Sequence, residues 1–308
     1  MVGLPGLTGL PGLTGLPGLT GLPARAAVFR PKRLADMTRI DFKSRVPLGF
    51  ETFHPQGLYK DKDRFLMTTV DKEGKHGFLL DFEVKNGKSK LNNKIELKAG
   101  TDEYHAGGLD LDPKEKRLWI PLAQYKKSST ASLLSLDPKN LSYKKEGSLS
   151  DHIGTLFVRE ENRSLFLFNW DSRDFYVLPL ETKDQPKGIR KLSSNLPVAF
   201  QDCKSMGGSE ALCTGLQQNA QETTIGSVFL VRATDDKLEL VREWPVPRVN
   251  PEGALVIQPK TKDEAKKETK NRSLAHNPLH AEWNDKSILL YFVPHDGPDS
   301  QLFTYELH

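Results

Sequence analysis

Apolar and polar residues alternate along most of this chain, and helical periodicity is nearly absent. The pattern predicts short strands punctuated by turn residues. The clearest set is His54–Tyr59, Arg64–Val70, Gly77–Val84 and Lys90–Leu97, with turns at Asp71-Lys72-Glu73-Gly74 and Asn86-Gly87. A second set covers Gly107–Asp110, Arg117–Pro121, Ser132–Leu136 and Tyr143–Ser148. A third runs from His152 through Leu165–Phe168 and Asp174–Leu180 to Ile189–Leu192. A fourth runs from Phe200 through Ala211–Gly215 and Ser227–Arg232 to Leu238–Glu243. A last unit opens at His276 and offers only two further strands, Lys286–Leu289 and Leu302–Leu307, whereas Thr38–Val46 is a spare alternating segment at the other end.

The sets recur at one interval. His54-Pro-Gln-Gly, His105-Ala-Gly-Gly and His152-Ile-Gly-Thr are near-copies of one phrase, 51 and 47 residues apart. Asp202 follows after 50 residues and His276 after 74. A repeat near 50 residues, each of four short strands, is the signature of a β-propeller. The expected fold is therefore all-β: a single propeller of five four-stranded blades, with Thr38–Val46 closing the last blade and covering its sheet edge. The alternative is six blades, with residues 246–275 as a degenerate extra one.

The chain has 308 residues, 37% hydrophobic and 27% charged, with a net charge of +4. This suits a globular protein of one large domain and gives no basic patch for nucleic acid. No apolar run is long enough to span a membrane. Residues 1–24 carry Gly-Leu-Pro and Gly-Leu-Thr triplets and read as a disordered low-complexity tail without the features of a signal peptide. Residues 25–308 form the propeller domain, with a charged surface insertion at 260–272. The compartment stays open, and a monomer is expected. Cys203 and Cys213 flank a Gly-Gly turn, so they are either two buried thiols or a cross-strand disulfide.

If each phrase opens the innermost strand of its blade, His54, His105, His152, Asp202 and His276 ring the mouth of a central channel. His54, His105 and His152 would then be candidate ligands for one divalent transition metal, with Asp202 as an added carboxylate. The competing reading makes the same residues hydrogen-bonded braces between blades. Gln56, Asp151 and Arg173 join the candidate small-molecule site by proximity. Gln124-Tyr125 falls near the same face, Ser172 is a weak candidate nucleophile, and Trp119 and Trp170 read as blade core.

In order, the motifs His54-Pro-Gln-Gly, His105-x-Gly-Gly-Leu-Asp, Trp119-Ile-Pro-x-Ala-Gln-Tyr125, Asp151-His-Ile-Gly154, Trp170-x-Ser-Arg173 and Asn277-Pro278 resemble an uncharacterised bacterial and fungal family classed as a domain of unknown function. The chain departs from that family at Ala106, where Pro is usual, and at Asp171, where Gly is common. The resemblance spans residues 45–306 and extends distantly to gluconolactonase- and strictosidine-synthase-like propellers. It implies the fold; the carboxylate- and amide-held metal of that wider group does not transfer to a histidine-rich ring. Two functions follow: a small-molecule enzyme, hydrolase or lyase, working at the channel mouth, or a non-catalytic ligand- or protein-binding propeller.

Overall fold

The computed structural model describes residues 33–180, 188–217, 227–246, 248–249, 255–256 and 278–308. Five antiparallel sheets stand in a ring. Blade 1 comprises His54–Asp61, Arg64–Asp71, His76–Lys85 and Lys88–Leu97, from axis to rim. Blade 3 is Ile153–Arg159, Ser164–Asn169, Asp174–Pro179 and Arg190–Ser193. Blade 4 is Val198–Gly207, Glu210–Gln217, Ser227–Ala233 and Leu238–Pro245. Blade 2 differs. Its inner strand is broken into Glu103–Ala106 and Asp110–Asp112, both paired with Arg117–Gln124, and Ala131–Leu136 and Tyr143–Leu149 follow.

Blade 5 draws on both ends of the chain. Leu279–Asn284, Ser287–Phe292 and Gln301–Leu307 are completed by Ile40–Pro47, which pairs antiparallel with Gln301–Leu307 from Ile40↔Leu307 to Pro47↔Gln301. The closing strand is thus where its alternation predicted. Between blades 4 and 5 the described residues hold only a two-residue ladder, Arg248–Val249 with Leu255–Val256, so the ring has five blades and not six. The segment before the closing strand packs Leu34 and Met37 against Trp244 and Val246 of blade 4, and the Trp244 indole donates to the Met37 carbonyl at 2.9 Å.

Alternation was the sequence signal, yet the second strands are apolar almost throughout. Arg64–Asp71 is buried at six consecutive positions and Ser164–Asn169 at all six. The reason is that both faces of each blade are covered. Phe65 and Met67 pack with Tyr291 of blade 5, while Leu66, between them, packs with Leu118 and Leu134 of blade 2. Five such cores, one per blade junction, hold the ring. At about 25 cal/mol per Å² of apolar area, they are the main favourable term.

The inner strands are joined by buried carboxylates. Asp202, fully buried on blade 4, accepts backbone N–H bonds from Leu58 of blade 1 (3.1 Å), Leu109 of blade 2 (3.2 Å) and Leu279 of blade 5 (2.8 Å). Asp110, one step further along blade 2, accepts from Val158 of blade 3 (2.9 Å) and Ser205 of blade 4 (3.0 Å). Lys204 donates to Asp202 at 2.5 Å and to the carbonyls of Leu109 and Cys203. The strands approach closely at two glycines: a Cβ on Gly107 would lie 2.1 Å from the Gly154 carbonyl oxygen, and one on Gly108 would lie 2.3 Å from Thr155 Oγ1. Cys203 and Cys213 face each other in register and form a disulfide, settling the two alternatives in favour of the bridge.

Two outcomes follow for stability. A chain beginning at residue 48 lacks the closing strand and exposes the edge of Gln301–Leu307. It is expected to melt at least about 10 °C below one beginning at residue 33, by calorimetry. Asp202→Ala strands three N–H groups and the Lys204 ammonium, and is expected to cost about 3–5 kcal/mol in urea unfolding. Asp110→Asn keeps an acceptor for Val158 and Ser205 and should behave differently. Burial pushes the Asp110 carboxyl up to about 7 from its usual 3.8. Its contribution is therefore complete below pH 3.8 and lost as pH rises through about 7. The variant should lose less stability than the parent between about pH 5 and pH 8; equal losses would show that Asp110 does not titrate in this way.

Candidate functional site

The first residues of the inner strands bring two of the predicted histidines into contact. His105 lies at the start of blade 2, and His152 immediately precedes the inner strand of blade 3; their rings are 4.8 Å apart. Both are buried. Tyr125 packs edge-on against His105 at 4.8 Å, and Trp170 packs edge-on against His152 at 4.6 Å. Tyr125 and Trp170 meet each other at 5.8 Å, closing a cluster of four rings. Trp170 is 37% exposed, so it lies at the surface and not in the blade core as its sequence suggested. Lys72 stands 5.7 Å over the Tyr125 ring.

The hydrogen bonds fix one imidazole. His152 Nδ1 lies 2.9 Å from the Gln124 carbonyl and 3.1 Å from that of Lys126, both of blade 2. Carbonyls only accept, so Nδ1 carries the proton and Nε2 keeps its lone pair. The backbone N–H of His152 donates to Asp151 Oδ1 at 2.8 Å, and the Tyr176 hydroxyl donates to Asp151 Oδ2 at 2.8 Å. Asp151 therefore orients the histidine through its backbone. His105 Nδ1 is buried without a hydrogen-bond partner among the described residues.

Burial holds the His105 imidazole well below its usual 6.5, reinforced by His152, His54 and Lys72. Burial also lowers His152, although the Gln124 and Lys126 carbonyls and Asp151 oppose it. Both rings are consequently neutral in the folded protein at neutral pH.

The remaining candidates take other places. His54 Nδ1 is 3.0 Å from Asp296 Oδ1, so it ties blade 1 to the loop before the last strand of blade 5. Gln56 sits at a bulge in the blade 1 inner strand and is 2% exposed. Arg173 lies exposed on the turn after Trp170, where its backbone N–H meets Asp171 and its carbonyl accepts from Ser194. Ser172 is fully buried, and its Oγ accepts the Phe200 N–H at 2.9 Å; it braces blades 3 and 4 and is not placed as a nucleophile. Asp202 does not stand beside the histidines. It bonds to Leu58 and Leu109, each four residues further along its strand than His54 and His105, which puts it inside the hub. The repeat interval was right, but the register within blade 4 was not. His276 lies outside the described residues.

Among the described residues no three His, Cys, Asp or Glu side chains stand together as metal ligands, so the expected His54–His105–His152 metal triad is not assembled. What the arrangement offers is a lone pair at His152, a second neutral imidazole, and two aromatic walls. Tyr125 was visible in sequence only as a neighbour of the face, and Lys72 and Asp296 carried no signal at all.

The titration is checkable. Imidazole ¹⁵N spectra should show His152 as the Nδ1–H form, with His105 and His152 both neutral at pH 6.5. Because both values are depressed, the stability these rings confer is present above 6.5 and lost as pH falls through their folded values. His105→Gln, which cannot gain a charge, should flatten that fall. Titration of either ring at or above 6.5 would contradict the assignment.

The ring of blades is similar to solved propellers. An exo-beta-1,3-galactanase from Phanerochaete chrysosporium, crystallised with beta-1,3-galactotriose, aligns with TM-score 0.51 at 9% identity over 86% of this chain and 65% of that one. The tail fiber of Staphylococcus aureus phage P68 aligns with TM-score 0.50 at 12% identity over 89% of this chain and 53% of that one. A luciferin-regenerating enzyme aligns at TM-score 0.44 and 9% identity over 83% of this chain and 76% of that one. The chain thus spans less than two thirds of the first two structures, and at these identities the likeness is one of fold. No curated protein matches the chain in sequence. The model of a family of unknown function, DUF6454, matches residues 23–308, and the chain belongs to that family.

Proposed function

We propose that this propeller binds a small hydroxylated molecule on its histidine face, with His152 Nε2 as the proton-accepting group. The observation that carries the reading is the pair of buried, neutral imidazoles beside half-exposed Trp170. A buried polar atom without a partner, as at His105 Nδ1, is costly unless something completes it. Neutral imidazole offers one donor and one acceptor, which matches a hydroxyl group. The Trp170 and Tyr125 rings supply apolar surface for the carbon skeleton. If the site is catalytic, the fixed tautomer of His152 suits a general base in hydrolysis or elimination. The buried disulfide is in keeping with maturation in an oxidising compartment.

A second reading also has an observation behind it. His152 bridges blade 3 to blade 2 through the Gln124 and Lys126 carbonyls, and His54 bridges blade 1 to blade 5 through Asp296. In that reading the histidines brace the ring and no small molecule is needed.

The two separate by titrating the protein with galactose, inositol and phenol while following the Trp170 indole N–H and the His152 ring by NMR. Binding predicts a saturable shift at both groups, abolished in Trp170→Ala and weakened about tenfold, or 1.4 kcal/mol, in His105→Ala. No shift with any probe, together with a lowered melting temperature in His152→Ala, would favour the brace.

A further inference from the structure

The inner strands run the same way around the axis, so their far ends form a second face, separated from the histidines by the Asp202–Lys204–Asp110 hub. On that face blades 1 and 2 enclose a cleft of about 200 Å³. Tyr59 and Asp61 at the end of one inner strand and Leu111 at the end of the other line it, with Arg64, Lys116 and Lys139 from the neighbouring turns. We propose that this cleft is a second binding site, for a small dianion such as a phosphate ester or a dicarboxylate.

The cations around the cleft are held in place. Arg64 donates from Nε to Asp81 Oδ1 at 2.7 Å and from Nη1 to the Pro138 carbonyl at 2.6 Å. Its guanidinium is thereby fixed across the blade junction, with Nη2 left for a ligand. The Pro138–Lys139 turn is itself ordered: Asp137 Oδ1 accepts the Lys139 N–H at 2.8 Å, and the Asp137 carbonyl accepts the Leu141 N–H at 2.8 Å. Lys116 sits in the turn between Asp110–Asp112 and Arg117–Gln124 with φ of 54°, a conformation set by the turn. The Tyr59 ring is fixed edge-on to buried His280 at 5.8 Å.

The charges do not cancel. Asp81 compensates Arg64 from behind, and Asp61 is the one carboxylate among the lining side chains. Lys116 and Lys139 make no ion pair with any described residue. Two ammonium groups against one carboxylate, a positioned guanidinium and a tyrosine side chain lining one small cleft match the chemistry of an anion with several acceptor oxygens. A neutral ligand would leave that charge unused, and the single Asp61 carboxylate attracts a cation less than the three basic groups repel one.

The test follows backbone amide shifts in the intact protein, titrated separately with sodium phosphate and sodium succinate at constant ionic strength. The expected result is a saturable shift at Leu111, Lys116 and Lys139, with the Trp170 indole unmoved. Binding should weaken about tenfold in the double variant Lys116→Ala, Lys139→Ala. Both changes are on exposed turns, so melting temperature should hold. Phosphate alone binding would assign a phosphorylated ligand, succinate alone a dicarboxylate, and either supports the site. No saturable shift with either anion, undiminished binding in the double variant, or shifts confined to the histidine face would overturn it. The last outcome would leave the first site standing, so the two proposals fail independently.

Discussion

Asp202 is the constraint on which the rest of this structure depends. One carboxylate at the axis gathers N–H groups from three inner strands that are 144, 93 and 77 residues away in sequence, and Lys204 balances its charge. Asp110 gathers the two remaining blades. Apolar packing alone would not specify how far five similar blades slide along the axis, because a sheet face tolerates small shifts. Directional bonds to a buried charge do specify it, since every misplacement leaves an ion or an N–H without a partner. The cost is a desolvated carboxylate, visible in the upward displacement of Asp202 to about 6.

The repeat interval made the fold readable, because in a propeller sequence period becomes rotation. Blade 1 was legible strand by strand: its turns are the polar, glycine-bearing kind that fix register. The closing strand was legible for a topological reason, since one blade lacked a strand and one segment lacked a blade. The break in the blade 2 inner strand was not. Gly107-Gly108 read as part of a strand. In the structure the Gly108 N–H leaves its own blade and donates to the Gly154 carbonyl of blade 3 at 2.9 Å. That interaction joins strands from different repeats, and no local pattern encodes it. Asp202 was misplaced for a related reason. It recurs at the right interval, but it is the fifth residue of its inner strand, Val198–Gly207, whereas His54 is the first of its own, so an equal interval does not give an equal height.

The candidate site was partly legible. His105 and His152 do converge, as equivalent positions of adjacent blades must. Their aromatic partners were less so. Trp170 follows a fully buried strand, Ser164–Asn169, and hydrophobic continuity assigns it to the core. The chain turns at that point, with Ser172 at φ of 54° and its hydroxyl bonded to Phe200, and this turn carries the indole outward against His152. Metal chemistry was the natural reading of three recurring histidines. The structure assigns His54 to Asp296 and the His152 Nδ1 proton to carbonyls. An imidazole whose Nδ1 is tied to the neighbouring blade keeps only Nε2 for chemistry.

Close approach of the inner strands also changes what a propeller face can do. In a wide channel a ligand on one side is sensed on the other through solvent and ions. Here Gly57, Gly107 and Gly108 let backbone approach backbone, and no Cβ could be added at these positions without displacing a neighbour. The two faces are mechanically joined, because Leu58 and Tyr59 are consecutive residues. Leu58 donates its N–H to the hub carboxylate, while Tyr59 lines the basic cleft. The same strand begins at His54. Chemistry on the two faces can then diverge residue by residue at the strand ends, while the five cores and the two central aspartates stay fixed.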